Sequence, residues 1–101
     1  MVQTCTRMVD ITGRLAAGNI VNVQTEKEAG NIAFNLDVRG ILVGTEGQAQ
    51  FVNVDGILYG DGPNQRAVYP LLVGVVHYLK FKIIYPVTTT GTPVFLVGET
   101  A

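Results

Sequence analysis

The sequence predicts an all-β protein, a single small antiparallel β-sandwich or barrel of about eight short strands. Three observations point there. Val, Ile and Thr make up 32 of the 101 residues, a composition that favours extended backbone. Twelve glycines and four prolines cut the chain into short runs separated by turn signals. No long window carries the i, i+3, i+4, i+7 apolar spacing of an amphipathic helix.

The expected strands run from Thr4 to Ile11, Asn19 to Thr25, Asn31 to Val38, Gly40 to Val43, Gln48 to Val54, Gln65 to Tyr69, Tyr78 to Val87, and Pro93 to Val97. Between them, Arg14 to Ala17 has room for one helical turn bracketed by Gly13 and Gly18. Glu26 to Gly30 is polar and reads as a loop or turn. Gly44-Thr45-Glu46-Gly47 has the glycine usage of a tight reversal, which predicts a hairpin between Gly40–Val43 and Gln48–Val54. Asp55-Gly56 is a further turn signal, and Gly60-Asp61-Gly62-Pro63-Asn64 an exposed loop. The clearest alternation lies in His77 to Tyr85: Leu79, Phe81, Ile83 and Tyr85 are expected to face the core, and Lys80 and Lys82 the solvent. Thr88-Thr89-Thr90-Gly91-Thr92 then turns the chain into a C-terminal hairpin closed by Val94 to Val97. All of this fits one domain, 1–101, with residues 1–6 as an extended N-terminal arm.

Composition restricts the chemistry. Hydrophobic residues are 48% and charged ones 15%, against about 25% charged in an average soluble domain. An apolar excess on so small a chain calls for partial coverage by further copies or by another protein. There is no Ser, which excludes a serine nucleophile, and the one Cys excludes an internal disulfide and a multi-cysteine zinc site. Four Arg and three Lys against eight carboxylates leave a net charge of −1. No dense basic cluster is present beyond Lys80, Lys82 and Arg66, so nucleic acid is not an expected partner. Ala67 to Val76, the most apolar run, is half the length of a membrane span and holds Pro70 and Gly74. Arg7 and Asp10 interrupt any signal-peptide core, so cytoplasmic synthesis is expected.

His77 is the only histidine, and as the neighbour of an alternating strand it reads as a core or interface residue rather than a general base. A Cys5–His77 dyad has no local support. Asp10, Asp37, Asp55 and Asp61 are scattered acids without the pairing that glycosyl transfer uses. The Asp55 to Asn64 stretch lacks the ligand spacing of a calcium loop, and no phosphate-binding or dinucleotide fingerprint occurs. Asp37 and Arg39 would share a face of an extended segment as a surface ion pair. The expectation is no catalytic residue, no metal and no cofactor.

Several segments together carry a resemblance. They are Arg39-Gly40-Ile41-Leu42-Val43-Gly44-Thr45-Glu46-Gly47, Gln48 to Val54 with Asp55-Gly56, Tyr69-Pro70-Leu71-Leu72-Val73-Gly74-Val75-Val76, Leu79-Lys80-Phe81-Lys82-Ile83, and Thr88 to Thr92. Over residues 39–97 the chain resembles small tailed-phage and gene-transfer-agent virion proteins, including head-spike base proteins. The resemblance implies a virion structural role without enzymatic activity. The favoured expectation is a protein that decorates or cements the capsid shell as a symmetric oligomer, a trimer for preference, bound to the major capsid protein or another virion protein. A head-spike base, tail or connector component is the alternative within that setting. A carbohydrate-binding sandwich is the alternative outside it, and the lack of Trp counts against that reading. The expected covered surface comprises Val68, Tyr69, Leu71, Leu72, Val73, Val75 and Val76, with Val2 and Thr4 from the arm adding a strand to a neighbour. A buried core strand is the competing reading of the 68–76 segment.

Overall fold

The β-branched runs do pair into sheets, but which runs pair is decided by long-range fit rather than by neighbouring turns. A computed structural model describes residues 7–44, 51–86 and 93–100. In chain order these form β1 (Arg7–Asp10), α1 (Thr12–Ala16), β2 (Val21–Asn22), α2 (Val23–Glu28), β3 (Leu36–Val43), β4 (Phe51–Leu58), β5 (Ala67–Leu72), β6 (Val76–His77), β7 (Phe81–Ile84) and β8 (Val94–Thr100). Single 3-10 turns occupy Ile32–Phe34 and Pro63–Gln65. The described strands make two antiparallel four-stranded sheets, in the orders β1-β8-β3-β6 and β2-β7-β4-β5. The fold is a small all-β sandwich, as the composition predicted.

Both expected hairpins are corrected by this pairing. β3 and β4 lie in different sheets, and so do β7 and β8. The partner of β3 is instead β8, registered from Leu36 opposite Thr100 to Val43 opposite Val94. The reason is a matched irregularity. β3 bulges at Arg39, and Gly98 lies opposite Val38 at that point. A Cβ on Gly98 would run into the Asp37 carbonyl group, so no other residue fits there without a shift. The bulge also explains why Asp37 and Arg39 do not pair with each other: Asp37 faces Lys27 at 3.8 Å and Arg39 faces Glu99 at 3.3 Å.

A second bulge overturns the expected alternation in β7. Its register against β4 steps from Ile57–Ile83 to Leu58–Phe81, leaving Lys82 as the extra residue. Phe81 and Ile84 therefore face inward together, fully buried, while Ile83 and Tyr85 are only half-buried. Asp55-Gly56, expected as a turn, lies inside β4 because the Phe81 ring needs the space above Gly56. A Cβ on Gly56 would approach Phe81 Cδ1 to 2.8 Å and also strike the Ile83 carbonyl. Tyr69 packs edge-on against Phe81 with ring centroids 5.3 Å apart.

Local capping corrects two further expectations. The polar Glu26-Lys27-Glu28 segment is helical rather than a loop, since the Asn22 side chain accepts from the Thr25 N–H at 3.1 Å and Val23 anchors the helix in the core. The expected strand Asn19–Thr25 is thereby reduced to two residues. Asn31 in turn caps the Ile32–Phe34 turn through Ala33 N–H, which shortens the expected strand Asn31–Val38 to its last three residues and merges them with Gly40–Val43. Arg14 of α1 pairs with Glu26 and lies 4.9 Å over the Phe34 ring, joining the two helices. The hydrogen bonds from Arg14 and Asn31 hold the Glu26 carboxyl below its usual range.

Inward residues of both sheets form one core with Ile11, Val23 and Phe34 from the segments between the strands; these three and Val21, Leu36, Ile41, Val54, Phe81, Ile84 and Leu96 are almost fully buried. Replacing Gly56 by Ala is expected to lower stability by about 1–3 kcal/mol through overpacking against Phe81. Chemical denaturation of the two proteins checks this, and an unchanged midpoint would mean that the ring is not seated on Gly56.

Candidate interaction site

An antiparallel sheet assigns each facing pair of residues to one side. In β4 and β5 the pairs Val52–Leu71 and Val54–Tyr69 face the core. The alternate pairs Phe51–Leu72, Asn53–Pro70 and Asp55–Val68 therefore face outward. This outer face is apolar and open: Phe51 and Val68 are each 58% exposed and Leu72 is 37% exposed. Further along the same face Ile57 lies opposite Ile83, buried yet outside the central core cluster. No Asp, Glu, Lys or Arg occurs from Ala67 to Leu79.

The charges of Asp55 and Arg66 on this face neutralise each other in place. Arg66 gives two hydrogen bonds to Asp55, Nε to Oδ1 at 2.9 Å and Nη2 to Oδ2 at 2.7 Å. Its guanidinium also stacks 3.7 Å over the Tyr85 ring. Such a two-pronged, stacked arrangement suits Arg and no other side chain. The pairing raises the Arg66 pKa further above its usual value, so the charge is permanent.

β5 is also the edge of its sheet. Pro70 is tolerated at its middle because one side of the strand is open, and the missing donor makes that edge a poor template for another strand. The exposed apolar side chains of β5 thus lie on the face of the sheet, beside an edge closed to strand addition.

The structure divides the sequence-predicted surface. Val68 and Leu72 are exposed on the outer face, and Val75 is 45% exposed in the turn that follows β5. Val73 and Tyr69 are half-buried against the core, and Val76 is half-buried in β6 opposite Leu42. Leu71 is a correction: it faces inward opposite Val52 and belongs to the core, because alternation along β5 sends every second residue inside. Val2 and Thr4 lie outside the described residues, as do the N-terminal arm and Cys5. Phe51 is the surface residue that sequence reasoning missed; its partner Leu72 becomes visible only with the β4–β5 register.

His77 and Asp10 are held in structural hydrogen bonds. His77 Nε2 lies 2.9 Å from the Leu72 carbonyl, tying the turn between β5 and β6. Asp10 caps Thr12 N–H at 2.9 Å. No group of three or more metal-binding side chains is found among the described residues, and none of their helices is long and apolar enough to cross a membrane. A second feature is a groove of about 310 Å³ at the opposite end of β4 from Phe51, lined by Gln24, Lys27, Asp37, Arg39, Tyr59 and Lys80.

Replacing Arg66 by Gln is expected to lower the melting temperature and to speed amide exchange in β5 selectively, leaving β3 and β8 protected. Hydrogen exchange read by residue checks this, and uniform protection would show that the Asp55–Arg66–Tyr85 stack does not hold the edge strand. Comparison with known protein families, with curated proteins and with solved structures found no match.

Proposed function

We propose that this chain is a structural subunit of a tailed-phage virion, attached to the capsid shell as a symmetric oligomer. The observation that carries the reading is the apolar outer face of the second sheet, where Phe51, Val68 and Leu72 stand exposed beside a mutually neutralised Asp55–Arg66 pair. A sandwich needs one apolar side per sheet to build its core, and this sheet has two. The surplus is the signature of a protein whose second face is covered in an assembly. The likeness of residues 39–97 to small virion proteins supplies the setting, and the capsid or a neighbouring subunit supplies the cover. The role is one of binding and cementing, with no catalytic step.

Sedimentation velocity of the purified protein, alone and with expanded capsid shells, tests the proposal. The expected result is an oligomer or co-sedimentation with shells, and conversion to a free monomer by Val68→Glu with an unchanged circular dichroism spectrum. A wild-type protein that stays monomeric and binds no shell would overturn it.

A further inference from the structure

The groove at the far end of β4 has more hydrogen-bond donors than acceptors. Lys27 comes from α2, Asp37 and Arg39 from the bulged start of β3, Tyr59 from the end of β4, and Lys80 from the approach to β7. Lys27 Nζ is 3.8 Å from the Asp37 carboxylate, too far for a hydrogen bond. Arg39 gives Glu99 a single contact at 3.3 Å and leaves the rest of its guanidinium fork unused among the described residues. Lys80 is exposed and meets no carboxylate among the described residues. Burial, and then the charge of Asp37, raise the Tyr59 pKa, so its hydroxyl stays protonated and can donate.

Asp37 and Glu99 are opposite each other across β3 and β8, where two like charges repel. Lys27 and Arg39 offset that repulsion, and Lys80 adds one positive charge beyond balance. We propose that this groove binds a carboxylate side chain from an acidic peptide segment of a protein partner. The ligand must bring acceptors, carry little charge and be small. A nucleic-acid strand would set a run of phosphates against Asp37 and Glu99, on a chain whose net charge is already −1. A single carboxylate brings two acceptor oxygens to three unfilled donors and leaves Asp37 its own cation. The volume, about 310 Å³, is at the lower end of the range for ligand sites and suits one or two side chains.

The inference uses the groove alone and assumes neither a virion nor an oligomer, so it stands or falls apart from the assembly reading. The test is fluorescence anisotropy of the full chain with a labelled peptide of alternating Glu and Gly at low ionic strength. A Gln-for-Glu peptide and inorganic phosphate serve as comparisons. The Glu peptide is expected to bind saturably, at least about tenfold tighter than the Gln peptide, and to weaken as salt is added. The double variant Lys27→Gln with Lys80→Gln, and the milder Lys80→Gln alone, are expected to lose that preference while keeping the wild-type circular dichroism spectrum. Val68→Glu, on the other surface, is expected to retain it. Equal binding of the Gln peptide, or full binding by both lysine variants, would overturn the proposal. So would binding of phosphate without the Glu peptide, which would assign the groove to a free anion.

Discussion

The ring of Phe81 rests on the space that Gly56 leaves in β4, and the arrangement of the second sheet follows from that seat. To lay Phe81 there, β7 must bulge at Lys82, which turns Ile84 inward beside it and sends Ile83 to the outer face. Tyr69 then closes against the ring edge, fixing β5 on the other side of β4. The same bulge leaves Tyr59 and Lys80 close, joined by a Tyr59 N–H bond to the Lys80 carbonyl at 2.8 Å, so one packing choice sets both the core and one wall of the groove. In the first sheet Gly98 and the bulge at Arg39 play the matching part.

Two surfaces of opposite character result. At one end of β4 the outer face is apolar and its Asp55–Arg66 pair is self-contained, so covering that face would leave neither of these charges unpaired. At the other end the groove keeps cations whose donors are only partly used. The first suits a broad, non-directional contact driven by burial, and the second a directional one that selects its partner by charge.

How much of this was legible in the sequence depended on the range of the signal. β-branched composition and frequent glycines are local, and they gave the fold class and the general place of most strands. Capping by Asn22 was equally local but was outweighed by the valines at 21 and 23, so α2 read as the end of a strand followed by a polar loop. The hairpins failed because a glycine-rich joint in a sequence signals a turn without specifying which strand the chain meets next. Gly56 and Gly98 were legible only as glycines. Their purpose, room for Phe81 and for the Asp37 carbonyl, depends on residues 25 or more positions away. The exposed apolar face was half legible: the 68–76 run contains Val68 and Leu72, but alternation places Leu71 inside, and Phe51 enters only through its partner Leu72.

The central claim is that the outer face of the second sheet is a contact surface. Methyl NMR with a soluble paramagnetic agent reads it directly, using Val68 and Leu72 as reporters and the methyls of Ile32, 81% exposed, as the reference. The account predicts that Val68 and Leu72 lose accessibility as protein concentration rises or capsid shells are added, while Ile32 does not. If all three residues stay equally accessible under every condition, the face is uncovered and the account is contradicted.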